Sequence, residues 1–177
     1  SSLSITELQK IQKENQIEKF LDLKKFINKN FNKYNFYELS KIREFFNFNK
    51  ITTKAFYTRS DISKLIVSDL PIFEKQNNIR ILEPSVGSGS FIPHLIKKYR
   101  DKNVTLDLID IDKDTIQLLK ILIKKLSIPK NFKINFIHCD YLNFKVNKKY
   151  DLILTNPPFG KICENEISSQ SELLKDR

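Results

Sequence analysis

Asn156-Pro157-Pro158-Phe159-Gly160 closes an apolar run, Tyr150 to Thr155, and is the most chemically specific segment of this 177-residue chain. Pro157 pushes Asn156 out of helical backbone space and Pro158 does the same to Pro157, so the peptide is stiff and extended. A fixed Asn side-chain oxygen beside the Pro157 carbonyl makes two acceptors, and Phe159 offers a stacking plate next to them. Two acceptors and an aromatic face suit a planar group that carries an NH2. A plain turn has no need of Asn, two prolines and an aromatic together.

All three glycines of the chain fall at two loops. Gly87 and Gly89 lie in Glu83-Pro84-Ser85-Val86-Gly87-Ser88-Gly89, directly after the β-rich run Ile79 to Leu82, and Gly160 ends the Asn-Pro-Pro segment. Glycine admits positive φ and lets a ligand approach the backbone. The loop is not a dinucleotide fingerprint, because Ile92 stands at the third glycine position, nor a phosphate loop, because no Gly-Lys-Ser/Thr follows. A carboxylate at Glu83 would repel a pyrophosphate; it suits a cationic or amine-bearing ligand. The plainer alternative is a glycine turn with no ligand.

Two further acidic tips follow. Asp110, in Leu108-Ile109-Asp110-Ile111-Asp112, lies 27 residues after Glu83, a spacing that lets a carboxylate accept both hydrogens of a ribose diol. Asp112 reads as the cap of the next helix. In His138-Cys139-Asp140-Tyr141, Asp140 is placed to accept from an exocyclic amine with Tyr141 flanking a flat ring, or simply to start a turn. Consecutive strand residues alternate faces, so these side chains do not converge on one metal, and no metal is expected.

The elements that must position these groups follow from periodicity. Residues 4 to about 50 read as amphipathic helices, with Leu8 and Ile11, then Leu23, Phe26 and Ile27, then Leu39, Ile42, Phe45 and Phe46 at three- and four-residue steps. From Asn78 the pattern changes to strand and helix in alternation. Strands are expected at 79–83, 104–110, 132–138 and 150–155, with helices over 90–99 and 113–126 between them. Such alternation predicts βαβ units and a parallel sheet, an α/β fold behind an N-terminal helical region, and it divides the chain into 1–50 and 51–177. In an open α/β sheet ligands bind outside the carboxyl ends of the strands, where all the motifs fall.

Composition sets the outer bounds. The content is 40% hydrophobic and 29% charged, enough for a packed core, and no apolar run approaches the ~20 residues a membrane span needs. Two cysteines without regular spacing, Cys139 and Cys163, fit a reducing, cytoplasmic setting. The net charge of +10 invites nucleic acid as a partner, but residues 1–78 and 79–177 each carry +5, so no basic stripe is concentrated in either. The opening Ser1-Ser2-Leu3-Ser4 has neither Met nor the layout of a signal peptide and reads as a processing boundary.

Taken together, residues 54 to 160 resemble the adenine-specific, amino-group DNA methyltransferases that use S-adenosylmethionine. Lys54-Ala55-Phe56-Tyr57-Thr58-Arg59 is similar to that family's Phe-Tyr-Thr-Pro segment, with Arg59 in place of Pro, which leaves Thr58 also a candidate helix cap. The Gly loop is similar to its first motif, Asp110-Ile111 to its second, Asp140-Tyr141 to its third and Asn156-Pro157-Pro158-Phe159 to its fourth. The order is that of the gamma group, common in restriction–modification systems. The resemblance implies a Rossmann-like class I methyltransferase core with its first four strands in the order 3-2-1-4. It implies a cofactor set of Tyr57, Thr58, Glu83, Pro84, Ser85, Gly87, Gly89, Asp110, Ile111, Asp140, Tyr141 and Asn156, and a catalytic set of Asn156, Pro157, Pro158 and Phe159. Glu83, Asp110 and Asp140 would hold the cofactor's amine, ribose and adenine.

DNA is the implied substrate, and a separate C-terminal half or a specificity subunit is a further implied partner, because the family's later motifs and target-recognition domain are not in these 177 residues. The chain alone is therefore expected to be inactive. The fourth strand's edge is expected to be covered by residues 161–177, by the N-terminal helices or by another copy. Methyltransferases of protein glutamine or of ribosomal-RNA guanine share Asn-Pro-Pro and stay open as alternatives, although both usually begin the Gly loop with Asp-x-Gly. A non-catalytic subunit with a vestigial cofactor fold stays open as well.

Overall fold

The computed structural model describes residues 3–46 and 58–157. Tyr57, Pro158, Phe159, Gly160 and Cys163 lie outside these described residues, as do residues 161–177.

Each of the first helices starts where a side chain replaces a missing backbone partner. Ser4 caps α1 (Ile5–Asn15): its hydroxyl accepts from the Glu7 N–H at 3.2 Å, and Glu7 accepts the Ser4 N–H at 2.6 Å. Asn35 and Glu38 repeat that exchange at 3.0 and 2.9 Å before α3 (Phe36–Phe45). Between them runs α2 (Phe20–Lys29). The expected stripes are buried, with one correction: Phe45 is turned out, 36% exposed, while Phe46 is buried. Phe36, Ser40 and Arg43 complete the inward face of α3.

α4 (Ser60–Asp69) leads into the sheet. Its cap is Arg59, at φ −61°, the angle a proline would impose, so the departure from Pro leaves the helix start in place and Thr58 is not its cap. The strands are β1 (Asn78–Glu83), β2 (Asn103–Asp110), β3 (Phe132–His138) and β4 (Leu152–Ile153), all parallel, in the order β3-β2-β1-β4. This is the expected α/β arrangement. α5 (Ile92–Lys98) and α6 (Lys113–Leu122) cross between strands. α5 is shorter than the 90–99 expected because the glycine turn runs up to it, and α6 tightens after Leu122 into a 3-10 turn, Ile123–Lys125.

One core gathers Ile79, Ile81, Val104, Leu106, Leu108 and Phe132 from one sheet face against Ile92, Leu95, Ile116 and Leu119 of α5 and α6. A second core joins α1–α3 to Leu118 and Leu122 of the same α6. α6 is thus buried on two sides, and the N-terminal helices spend their apolar surface on it rather than on β4. On the other sheet face Asp107 is buried; it accepts from Asn135 Nδ2 at 2.6 Å and from the Tyr150 hydroxyl at 2.8 Å. Burial, and then that carboxylate, push the Tyr150 hydroxyl up to about 12.

β4 is much shorter than the 150–155 expected. The Asp151 N–H still donates to the Arg80 carbonyl at 2.9 Å, but its carboxylate takes the Arg80 N–H at 2.7 Å and the Gln76 amide at 2.8 Å, so a side chain replaces part of the ladder at its start. Beyond Leu154, whose N–H still reaches the Leu82 carbonyl at 2.9 Å, the chain bends to Ser85.

Candidate functional site

The Gly loop leaves β1 and is tied down from three sides. The Val86 N–H donates to the Ile109 carbonyl at 2.9 Å, the Gly87 N–H to Asp110 Oδ2 at 2.9 Å, and Ser40 Oγ to the Ser88 carbonyl at 3.1 Å. Gly87 and Gly89 have φ of +50° and +75°, values that L side chains rarely adopt. At Gly89 the constraint is double, since a Cβ there would stand 2.7 Å from Leu119 Cδ1 and 2.8 Å from Ile92 Cδ1. Both neighbours are fully buried. Gly89→Ala is therefore expected to cost about 2–3 kcal/mol, the sum of left-handed backbone strain and overpacking. A thermal melt checks this, and a loss below about 0.5 kcal/mol would show that the loop can relax.

Glu83 ends β1 beneath this loop, 1% exposed, and among the described residues its Oε2 has no hydrogen-bond partner. Burial first, and the nearby Asp110 carboxylate second, hold its carboxyl well above the ordinary carboxylate range. A buried carboxylate without a partner is costly unless a cation completes it. The donor set therefore fits an amine.

Asp110 sits at the tip of β2. Its Oδ2 accepts from Gly87 and its Oδ1 from the Asp112 N–H at 2.9 Å. Burial raises its carboxyl, while those two N–H groups and the Arg43 guanidinium pull it down. Asp112 caps α6, accepting from the Asp114 N–H at 3.1 Å. Asp140 caps the short turn Tyr141–Asn143, with one oxygen on the Leu142 N–H and the other on Asn143 Nδ2, at 3.0 and 3.2 Å. Ile111 and Tyr141 stand exposed at the ends of β2 and β3, 58% and 38% accessible.

Asn156 is brought to the same place from the end of β4. Its Nδ2 donates to Thr58 Oγ1 at 2.8 Å, and its carbonyl accepts from Ser85 Oγ at 3.3 Å. Ser85 also bonds Thr155 Oγ1 at 2.7 Å. Thr58, Glu83, Ser85, Gly87 and Asn156 line one notch of about 20 Å³. A cavity of about 650 Å³, in the size range of small-molecule sites, opens on the same loop; Thr58, Ser88 and Ser90 line both it and the notch, and Tyr37, Ser40 and Lys41 of α3 form its far wall.

Most of the residues singled out by sequence thus converge: Thr58, Glu83, Ser85, Gly87 and Asn156 directly, Pro84 and Gly89 within the loop, Asp110 through its bond to Gly87. Asp140 and Tyr141 stay one strand further out. Sequence reading missed Ser40, Arg43 and Thr115. The signal was there: Ser40 and Arg43 interrupt the stripe Leu39, Ile42, Phe46 with polar groups on its buried side.

The model of a family described as N-6 DNA methylase matches residues 10–177. Among curated proteins, the type II methyltransferase M.CvrRI of Paramecium bursaria Chlorella virus XZ-6E is 32% identical over 105 residues, covering 59% of this chain and 24% of that protein. Malonyl-[acyl-carrier protein] O-methyltransferase 1 of Ilyobacter polytropus is 34% identical over 110 residues, covering 60% and 38%. The chain thus spans less than half the length of either. Among solved structures, a Listeria monocytogenes protein described as a class I S-adenosylmethionine-dependent methyltransferase superposes with a TM-score of 0.55 at 19% identity, covering 81% of this chain and 46% of that one, a likeness of fold.

Proposed function

Because this chain belongs to the N-6 DNA methylase family, we propose that it forms the cofactor-binding part of an enzyme that moves a methyl group from S-adenosylmethionine to the exocyclic amino nitrogen of adenine in DNA, within restriction–modification. The observation that carries the proposal is the buried Glu83 carboxyl, whose Oε2 has no partner among the described residues, sharing one notch with Asn156. The chain divides for this purpose into helices over 1–50 and a cofactor core over 51–177. Its partners are DNA and either the remaining length of a family member or a specificity subunit.

Glu83 accepts the ammonium of the cofactor's methionine end, with Thr58 and Ser85 beside it. Asp110 is held in place by the Gly87 and Asp112 N–H groups and would accept from the ribose hydroxyls. Ile111, Asp140 and Tyr141 supply the walls and the acceptor for an adenine ring. When bound, S-adenosylmethionine contributes an electrophilic sulfonium methyl. The nitrogen to be methylated is a poor nucleophile because its lone pair is delocalised into the base. Asn156 Oδ1 and the Pro157 carbonyl would accept its two hydrogens, which favours a pyramidal, more nucleophilic nitrogen. The bond from Asn156 Nδ2 to Thr58 sets the amide so that Oδ1 is the end left to accept. Positioning and fixed dipoles then supply most of the rate. By the family resemblance, Phe159 would stack on a base that has left the duplex, next to the stiff Pro157-Pro158 peptide.

Two measurements test this. S-adenosylhomocysteine is expected to bind this chain in calorimetry while NAD does not, because Ile92 stands where a dinucleotide fingerprint has its third glycine; the reverse selectivity would sink the cofactor assignment. Label from S-adenosylmethionine offered to DNA, release factor and ribosomal RNA by a family-length chain containing these residues is expected in DNA adenine. Label appearing instead in protein or RNA would transfer the reading to those substrates.

A further inference from the structure

The N-terminal helices carry no recognisable motif, yet they hold a buried cation. Arg43 on α3 is 3% exposed, and its Nη2 donates to Thr115 Oγ1 at 2.6 Å. The Thr115 hydroxyl in turn donates to Asp112 Oδ2 at 2.7 Å. The Asp112 N–H donates to Asp110 Oδ1, and Asp110 Oδ2 accepts the Gly87 N–H, both at 2.9 Å. The first three donors point one way, from the guanidinium through a hydroxyl to one carboxylate and then, by backbone, to a second, which the Gly87 N–H meets from the loop side. One turn earlier on α3, Ser40 donates to the Ser88 carbonyl in the same loop. A buried arginine on an otherwise apolar stripe is expensive in desolvation unless it serves an anion.

We propose, resting on the cofactor reading above, that Arg43 is a positioning residue for the cofactor site, fixing the Asp110 carboxylate under the Gly loop through Thr115 and Asp112 while Ser40 fixes the far side of that loop. The helices of residues 5–45 are then a working wall of the site and not only a scaffold. Asp110 is faced by Glu83 from β1, Arg43 from α3 and Asp112 from its own turn. His138, its partner in register on β3, turns its Nε2 to the Ile111 carbonyl at 3.0 Å. Arg43 is the cation that lowers the Asp110 carboxyl, so removing it raises that carboxyl further.

The test uses the 177-residue chain with two probes. S-adenosylhomocysteine reports the whole site, and 5′-methylthioadenosine, which has the ribose but no ammonium, reports the Asp110 side without engaging Glu83. Arg43→Leu is expected to weaken both by about ten-fold or more at pH 7. Its 5′-methylthioadenosine affinity is expected to recover only at higher pH than the wild type's. Arg43→Lys is expected to restore that pH midpoint while regaining only part of the affinity, since an ammonium keeps the charge but not the planar fork. Should Arg43→Leu fail to fold, Thr115→Val cuts the same series with the cation retained, and is expected to lower affinity several-fold in a folded chain. A folded Arg43→Leu or Thr115→Val with wild-type affinity overturns the proposal. So does an affinity loss with an unmoved pH midpoint in Arg43→Leu, which is the mark of a merely structural role. Wild-type protein that binds neither probe overturns the cofactor reading itself, which keeps the two failures apart.

Discussion

Glu83→Gln is expected to make this protein more stable and to remove its cofactor affinity in one step. The carboxyl is buried, without a partner at Oε2 among the described residues, and raised by burial and by Asp110. The folded chain therefore holds the proton at pH values where the unfolded chain has lost it. Between the ordinary carboxylate range and the raised folded value, the folded state binds more protons, so stability falls as pH rises through that window. Gln carries no such penalty. Its melting temperature should exceed wild type by a few degrees at pH 8 and by less at pH 5. Binding runs the other way. An ammonium ligand needs the carboxylate, so binding S-adenosylhomocysteine must release a proton, and affinity should climb with pH until the ligand's own amine titrates. Glu83→Gln should lose at least about thirty-fold in affinity and all of that pH dependence, as expected when one member of a buried charge pair is removed. Calorimetry in two buffers of different ionisation enthalpy reads the proton directly. A variant that keeps wild-type affinity would mean that the amine lies elsewhere.

Asn156→Ala should act on turnover instead. The side chain's proposed work is done in the transition state, so methyl transfer by a family-length chain should fall by about two orders of magnitude or more. S-adenosylhomocysteine affinity should change only several-fold, because the substitution removes a single bond of 2.8 Å to Thr58. Asn156→Gln keeps both amide functions but displaces them by a methylene, and should be nearly as slow. Near-normal turnover in either variant would remove Asn156 from the chemistry.

The fold was legible because its signals are local. Period-two and helical patterning, glycine turns and prolines act over a few residues, and β1–β3 lie within one residue of where that patterning puts them. β4 was overread because the Asp151 carboxylate takes the Arg80 N–H at its start and the chain bends to Ser85 beyond Leu154, neither of which a hydropathy pattern records. The cofactor motifs were legible for a related reason. A strand tip followed by Gly, Asp or Asn-Pro is itself a local feature, and a parallel sheet places all such tips at one edge.

The pairings between them were not legible. Residue types alone determined that Glu83, Asp110 and Asn156 stand at carboxyl ends of strands. Only the tertiary structure decided that Asn156 meets Thr58, 98 positions earlier, that Asp110 reaches back to Gly87, and that Glu83 has no partner at Oε2 among the described residues. It alone decided that α6 is buried on two sides, which carries α3 to the site and turns Ser40 and Arg43 from an irregular stripe into contacts with the loop and with Thr115. Periodicity states which face of a helix is buried. What that face is buried against depends on how the second core closes over Leu118 and Leu122, and that is a property of the packing of distant segments.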